Sequence, residues 1–261
     1  MPQKTAIITF TIGPHQHYER LFLPSIREYA KRIGSDYHQI KELPIPMDLT
    51  NRTDLIRKHL ICMQKMLVAD LDWVQQYDWI LLIDADILVN FNSAPNIFEQ
   101  VKDGYINGVN EREQYGLEDY CHESWKHIHG DNPKTAEEYY KKFGFEVVSK
   151  AQVNGGFLVF QPRIQKGFFK ATYDKYMPKI LEGQDVDGDQ GPLNVEGWKA
   201  NRLHLIDPRW NRSWMFTHVL FYPFLDEQKD KKILQEAFKR IFDLNYCIHM
   251  SGYFGWSLLL A

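Results

Sequence analysis

The chain has 261 residues, which at about 150 residues per domain predicts one large domain, or one domain with a lobe. Hydrophobic residues make up 44% and charged residues 25%, which excludes a mainly disordered or fibrous protein. The net charge of -3 provides no basic field for a nucleic-acid backbone, so nucleic acid is not an expected partner. The cysteines are too scattered for a disulfide framework or a zinc site, which favours a reducing compartment: Cys62, Cys121 and Cys247.

Neither end of the chain has the pattern of an export signal or a membrane anchor. The opening MPQKTAIITFTIG contains one short apolar run and lacks a small-residue cleavage site. The final SLLLA is also too brief to cross a bilayer. We therefore expect no integral membrane segment, and a cytoplasmic or otherwise soluble location.

The first part of the chain alternates strand and helix patterns. Residues 5–12 are apolar and β-branched, which predicts a buried first strand. Helical spacing predicts a helix over 18–33, and a short strand is expected at 36–40. A long helix is predicted over about 53–76, because one apolar stripe contains Ile56, Leu60, Met63, Leu67 and Val74.

The remainder of the chain continues the α/β pattern. Residues 79–89 form one continuous hydrophobic run, typical of a strand covered on both faces, interrupted by two carboxylates. Later strands are expected at 105–109, 156–160, 203–206 and 246–250, and helices near 163–181 and 227–244. We find no linker and no internal repeat, so residues 1–261 are predicted to form a single domain. Residues 110–149, polar with scattered aromatics, are interpreted as a loop or insertion near a site.

The two carboxylates in the hydrophobic run belong to Asp84 and Asp86. One intervening residue places their side chains on the same face of a regular strand, about 6–7 Å apart. They would repel one another unless a cation lies between them, and a hard divalent ion satisfies that need. Salt bridges or a helix cap at a strand end are the alternative, but unpaired carboxylates inside a core strand are costly.

His249 lies in a second apolar run, Cys247-Ile248-His249-Met250. A histidine in such a run can simply be a hydrogen-bonded core residue. If it meets the two aspartates, however, it completes a carboxylate, carboxylate and imidazole set that suits Mn²⁺ or another divalent transition ion. The sequence alone does not show whether the three side chains meet.

Two further segments have residues suited to ligand contact. Asn154-Gly155-Gly156 opens a strand with two glycines, which allow a ligand or another backbone to approach closely, although a tight turn is equally consistent. Asp189 and Gln190 stand at an expected helix start, where an aspartate is also a common N-cap.

In this order, the segments resemble a known enzyme group. A hydrophobic strand with Asp-x-Asp is followed by Asn-Gly-Gly-Phe-Leu-Val, then by Asp-Gln-x-x-Leu-Asn and finally by Ile-His-Met-Ser-Gly. This succession of motifs is similar to that of the GT-A-fold glycosyltransferases of families 8 and 34. The resemblance is spread over about residues 5–256. It implies a GT-A fold, a Rossmann-like nucleotide-binding architecture with a mixed, mainly parallel sheet flanked by helices. It also implies Mn²⁺ or Mg²⁺, a nucleoside-diphosphate sugar donor with UDP favoured, and a glycan, glycoconjugate or other hydroxyl acceptor.

The resemblance also implies individual roles. Asp84 would contact the donor ribose and the metal, and Asp86 and His249 would bind the metal. Donor or acceptor contacts are implied for the end of the first strand, the glycine segment and one helical lysine: Thr9, Phe10, Thr11, Asn154, Gly155, Gly156 and Lys65. The helical angle of Lys65 opposite the apolar stripe predicts instead a solvated lysine. Asp189 and Gln190 would lie near the reacting carbon, with Asp187 as a rival to Asp189.

The sequence also departs from the family pattern. Residues 252–256 lack the Lys-Pro-Trp of family 8, which leaves Arg209 and Arg212 as candidates to neutralise a diphosphate. Trp210 is either part of the site or core. Sugar transfer with retention is expected from the resemblance. The alternatives are a metal-dependent phosphohydrolase or nucleotidyltransferase, and a non-catalytic carbohydrate-binding protein. An acid on the first strand, as in haloacid-type hydrolases, is absent from residues 6–12.

Overall fold

The computed structural model describes residues 3–12, 19–112, 133, 135–214, 217 and 230–250. Three features from the sequence lie outside these residues: Cys121, the segment 252–256 and most of the expected 110–149 insertion. The single domain expected over 1–261 therefore stays a prediction.

The described elements alternate between strands and helices. In chain order they are β1 (Thr5–Phe10), α1 (Glu19–Ile33), β2 (Asp36–Ile40), α2 (Asp54–Met63), 3-10 turns at Gln64–Asp70 and Asp72–Gln76, β3 (Trp79–Asp84), β4 (Ile87–Val89), a 3-10 turn at Ile97–Glu99, β5 (Ile106–Asn110), α3 (Ala136–Lys142), β6 (Val153–Phe160), α4 (Pro162–Leu181), α5 (Gln190–Lys199), β7 (Leu203–Leu205), a 3-10 turn at Pro208–Asn211, β8 (Arg212–Ser213), α6 (Lys231–Asp243) and β9 (Cys247–His249).

Within the described residues, the central sheet has six strands in the order β2-β1-β3-β6-β5-β7. The pairs β1–β2, β1–β3 and β5–β7 are parallel, whereas β6 runs antiparallel to both β3 and β5. The predicted α/β architecture with a mixed, mainly parallel sheet is therefore confirmed. Because β6 runs opposite to β3, the start of β6 and the end of β3 lie at the same edge of the sheet.

A separate hydrophobic core lies on each face of this sheet, because successive side chains of a strand point to opposite faces. Ile7 packs with Leu23 and Ile26 of α1, whereas Ile8 packs in a second cluster with Phe169 and Tyr173 of α4. Strand β3 is covered on both faces and is buried from Trp79 to Ile83, as its unbroken hydrophobic run predicted.

A second sheet has the order β4-β9-β8, and its strand β4 begins at Ile87, shortly after β3 ends at Asp84. Strand β9 runs antiparallel to β4 and parallel to β8. Ile248 and Met250 pack against Trp214 and residues of α6. No helix among the described residues has both the length and the apolar character that crossing a bilayer requires.

Two predicted elements differ from the structure. The helix expected over 53–76 ends at Met63, and two 3-10 segments follow it. At that point the Gln64 amide both donates to and accepts from the backbone of Ile45, at 2.7 Å each, which ties the chain to the loop before α2. The strand expected over 79–89 divides at Ala85 into β3 and β4, which belong to different sheets.

Candidate metal centre

The two aspartates lie where the chain leaves the central sheet. Asp84 is the last residue of β3, and Asp86 precedes β4. This corrects the expectation of a pair inside one core strand. The division has a physical reason: a continued strand would bury both carboxylates, whereas the turn leaves the Asp84 side chain 27% and the Asp86 side chain 14% exposed.

The second sheet brings His249 to this turn. In the β4–β9 ladder His249 is paired with Ile87, and the backbone N–H of Met250 donates to the carbonyl oxygen of Asp86 at 3.0 Å. His249 Nε2 lies 3.2 Å from Asp86 Oδ1. One ligand atom from each of Asp84, Asp86 and His249 lies within 4.8 Å of the others. The three side chains that the sequence suggested as a set therefore meet.

Gly156 makes room for this convergence. A Cβ atom at this position would lie 2.5 Å from His249 Cε1 and 2.9 Å from Asp84 Oδ2, closer than real contacts allow. The absence of a side chain here lets the aspartate and the histidine occupy the same small space at the start of β6. The glycine pair was interpreted as allowing either a close approach or a tight turn, and the close approach applies to Gly156.

The arrangement fits a divalent cation. Two carboxylates and an imidazole form a donor set suited to transition ions such as Mn²⁺. His249 is 2% exposed, and its Nδ1 has no hydrogen-bond partner among the described residues. Burial alone lowers the pKa of His249, but the carboxylates of Asp86, Asp84 and Glu111 outweigh burial and raise it. The site thus attracts positive charge.

Lys65 lies inside the site, which contradicts the predicted solvated position. It is 6% exposed, and its Nζ lies 3.0 Å from both Asp84 Oδ1 and Asp189 Oδ2. It also donates to the Gly155 carbonyl at 3.3 Å. Burial lowers the pKa of Lys65, yet the two carboxylates outweigh burial and hold it well above its usual value.

The prediction from the helical angle of Lys65 was wrong because it assumed that one side of this segment faces solvent. In the structure, Gln64 to Ala69 are buried on every side. One side of this segment packs on α4 with the hydrophobic core, and the other side faces the edge of the sheet. A lysine opposite the apolar stripe therefore meets carboxylates rather than water.

Asp189 and Gln190 begin α5 beside the glycine pair. Asp189 occupies the N-cap position but makes no side-chain capping bond, since its carboxylate pairs with Lys65. Burial raises the pKa of Asp189, and Lys65 opposes that rise. Gln190 Oε1 accepts a hydrogen bond from the Gly155 N–H at 2.9 Å. Thus the capping interpretation of Asp189 does not describe its side chain.

Asn154 is held between the side chains of Glu111 and Asn211. Its Nδ2 donates to Glu111 Oε1 at 2.9 Å, and its Oδ1 accepts from Asn211 Nδ2 at 2.9 Å. Glu111 immediately follows β5 and is 6% exposed. The sequence analysis did not identify Glu111, for which an acid directly after an apolar strand was the one available signal.

The end of β1 lies at the same edge, because Phe10 pairs with Asp84 in the β1–β3 register. Thr9, Phe10 and Thr11 are all buried. Thr11 Oγ1 accepts from Gln39 Nε2 at 2.9 Å, whereas Thr9 Oγ1 has no hydrogen-bond partner in the part of the chain that the structure describes. The structure therefore places these residues beside the candidate metal centre, and their contact with a nucleoside stays a prediction.

The arginine candidates have other partners. Arg209 NH2 lies 2.6 Å from Asp207 Oδ2, and its guanidinium lies over the Tyr246 ring. Arg212 Nε donates to Asn245 Oδ1 at 3.2 Å. Trp210 is fully buried and stacks on Phe157, so the core interpretation applies to it.

Solved structures that are similar to this chain include glycosyltransferases. A glycosyltransferase involved in glycosylation of the major capsid of PBCV-1 has a TM-score of 0.60 and 12% identity, covering 98% of this chain and 97% of its own. The galactosyltransferase LgtC, solved with donor and acceptor sugar analogs, has a TM-score of 0.54 and 11% identity, covering 95% and 87%. GlyE of Streptococcus pneumoniae TIGR4 has a TM-score of 0.50 and 13% identity, covering 98% and 56%.

At the level of sequence, no protein-family model and no curated protein matches the chain. Identities of 11 to 13% relate the folds and not the activities of these proteins. The chain therefore has the GT-A fold found in these glycosyltransferases.

Proposed function

We propose that this protein is a metal-dependent glycosyltransferase that moves a sugar from a nucleoside-diphosphate sugar to an acceptor hydroxyl. The observation that carries the proposal is the meeting of Asp84, Asp86 and His249 within 4.8 Å at the edge of a GT-A sheet. The donor is proposed to be a UDP-sugar, and the acceptor a glycan, a glycoconjugate or another hydroxyl compound. LgtC, whose fold is similar, was solved with donor and acceptor sugar analogs.

The proposed chemistry assigns separate tasks to the described residues. Asp84, Asp86 and His249 would hold Mn²⁺ or Mg²⁺, which supplies a Lewis acid for the charge that develops on a leaving diphosphate. Lys65 holds the carboxylates of Asp84 and Asp189 in fixed positions, 3.0 Å from its Nζ. Such preorganised charge stabilises a transition state without reorganisation during the reaction.

Asp189 is the side chain proposed to lie nearest the reacting carbon. Its carboxylate lies against the glycine segment, since a Cβ on Gly155 would be 3.1 Å from Asp189 Oδ2. A carboxylate in that position can stabilise an oxocarbenium-like transition state on the sugar. We propose transfer with retention of configuration, which nuclear magnetic resonance of the newly formed product can determine from its anomeric signal.

The test is release of nucleoside diphosphate from a panel of nucleotide sugars, with Mn²⁺, with Mg²⁺ or with a chelator. We expect slow hydrolysis of a UDP-sugar that requires the metal. Asp86→Asn is expected to lower the rate about 100-fold or more, beyond the loss typical of outer-shell changes. Asp174→Asn, an acid in an exposed ion pair on α4, is the matched control and should leave the rate unchanged. Equal rates in the chelator, or in Asp86→Asn, would contradict the proposal.

A further inference from the structure

Glu111 is a buried carboxylate to which three side-chain amides donate. Gln152 Nε2 donates to it at 3.0 Å, Asn154 Nδ2 at 2.9 Å and Gln190 Nε2 at 3.3 Å. Its backbone N–H donates to the Gln152 carbonyl at 2.8 Å, which fixes the start of the segment after β5. These donors come from two separate parts of the chain, so Glu111, which follows β5, connects that strand to the start of β6 and the start of α5.

The chemistry of a carboxylate decides how these amides are turned. An ionised carboxylate can only accept hydrogen bonds, so each amide must present its NH₂ group to Glu111 and direct its oxygen elsewhere. The Asn154 oxygen accepts from the Gly156 N–H at 2.8 Å, and the Gln190 oxygen accepts from the Gly155 N–H at 2.9 Å. Glu111 thereby determines which atoms of the two amides face the glycine backbone.

A second carboxylate completes the arrangement around Gln190. Gln190 Nε2 also donates to Asp187 Oδ2 at 3.2 Å, and the Tyr139 hydroxyl donates to the same oxygen at 2.6 Å. Asp187 and Gly188 have φ angles of 57° and 59°, a left-handed conformation that places this loop against α2. Both amide hydrogens and the oxygen of Gln190 are therefore used by the protein itself.

The glycine backbone that these amides hold lies directly against the candidate metal centre. Gly156 is the position where a Cβ would meet Asp84 and His249, and the Gly155 carbonyl accepts from Lys65. An amide turned the wrong way would place an NH₂ group against a backbone N–H, which leaves two donors facing each other without an acceptor. The orientation of the amides thus affects the geometry of the strand beside the metal ligands.

We propose that Glu111 is a positioning residue that sets the orientation of the Asn154 and Gln190 amides, and through them the Gly155-Gly156 backbone. In this account Gln190 also positions the backbone, and it does not offer its oxygen to the reacting carbon. The kinetic consequence rests on the proposed glycosyl transfer, whereas the amide orientation does not.

The test combines Glu111→Gln, Gln190→Ala and the double variant. Hydrolysis of the donor needs no acceptor, so a role of Glu111 in acceptor binding would not appear in this assay. We expect Glu111→Gln to lower kcat about 10- to 100-fold with KM for the donor within about threefold. Because Glu111 acts partly through Gln190, the double variant should lose less than the product of the two single losses. Losses that multiply in the double variant would overturn the proposal.

An independent arm uses side-chain amide resonances of ¹⁵N-labelled protein without substrate. Glu111→Gln should shift or broaden the NH₂ signals of Gln190 and Asn154, because an amide in place of the carboxylate adds donors that compete for acceptors. Unchanged signals would overturn the proposal whatever the kinetics show. If the wild-type protein hydrolyses no nucleotide sugar, the proposed function fails, and this arm still decides the role of Glu111.

Two further variants guard against a merely structural effect. Glu196→Gln removes an acid on α5 that is bonded to Lys175 and Tyr176, and it should change neither kcat nor the site amide signals. If Glu111→Gln does not fold, Glu111→Asp keeps the charge on a shorter side chain. It should lose the longest contact, to Gln190 at 3.3 Å, and shift that amide signal first. An unshifted Gln190 signal in Glu111→Asp would overturn the proposal.

Discussion

Ion pairs at the candidate metal centre and on helix α6 are built in opposite ways. On α6 the pairs Lys239–Asp243 and Arg240–Glu236 are four residues apart, and their side chains are 53 to 76% exposed. Lys65 is 7% exposed at its side chain and pairs with Asp84, 19 residues away in sequence, and with Asp189. Exposed pairs contribute little, whereas buried charges carry a desolvation cost. The buried pairs therefore depend on the presence of both partners, whereas the exposed pairs do not.

Lys65→Met is the change with the largest expected effect on this contrast. It leaves the carboxylates of Asp84 and Asp189 without their cation, and breaking a buried pair costs about 3–5 kcal/mol. The free energy of unfolding, measured by urea denaturation at neutral pH, should fall by that amount. Lys166→Met removes a 45% exposed lysine paired with Asp70 at 3.7 Å and should have little effect. Similar losses of unfolding free energy in Lys65→Met and Lys166→Met would contradict the difference between buried and exposed ion pairs.

Gly156→Ala tests the space shared by Asp84 and His249. The added methyl group would require one of these side chains to move, and overpacking of this kind costs about 1–3 kcal/mol. Weaker Mn²⁺ binding should accompany the loss, as measured by calorimetry. Gly167→Ala in α4 meets no atom within 4 Å and should stabilise the helix by about 0.5–1 kcal/mol. Unaltered Mn²⁺ affinity in Gly156→Ala would argue against the proposed ligand set.

Asp187→Asn should stabilise the protein and reduce its activity. The pKa of Asp187 is raised to about 6. Burial is the largest cause, and the charges of Glu111 and Asp189 also raise the pKa, whereas the Tyr139 hydrogen bond and Arg112 lower it. Because the folded-state pKa exceeds the unfolded value of about 4, stability from this group is present at low pH and is lost as the pH rises through 6.

The neutral amide should therefore exceed the wild type by about 1–2 kcal/mol above pH 6, with the difference shrinking toward pH 4. Thermal unfolding across this range measures the effect, and the exposed acid Asp103, changed to Asn, is the control. An advantage that grows toward low pH would have the wrong sign for this account.

The exposed pairs provide the smallest expected effect. Lys239→Ala and Arg240→Ala should each change the free energy of unfolding by less than about 0.5 kcal/mol, because solvent screens these pairs. The change should diminish further in high salt. A loss above about 1 kcal/mol in either variant would remove the distinction between the two regions.

The sequence predicted the parts of the fold that depend on local patterns. Strand β2 begins and ends at the predicted residues, and α4 begins one residue before the predicted start. The hydrophobic run that ends in Asp84 identified β3, and its carboxylates identified a candidate cation site. These features could be recognised because periodicity, apolar runs and unusual charges are all visible within a few neighbouring residues.

Features that depend on distant partners could not be predicted. Lys65 was expected in solvent because its carboxylate partners approach it from β3 and from the start of α5. Glu111 has one weak local signal, an acid directly after an apolar strand, and the amides that surround it come from positions 41 to 79 residues later. The division of 79–89 into two strands also depends on β9, which arrives from the far end of the described chain.

Titration of Mn²⁺ into the protein at saturating UDP tests the central claim most directly, with calorimetry as the readout. We expect one binding site in the wild type and in Asp174→Asn, and a loss of affinity in Asp86→Asn greater than the about 10- to 100-fold typical of outer-shell changes. Equal Mn²⁺ affinity in Asp86→Asn and the wild type, or no binding in either, would contradict the claim that Asp84, Asp86 and His249 hold the cation.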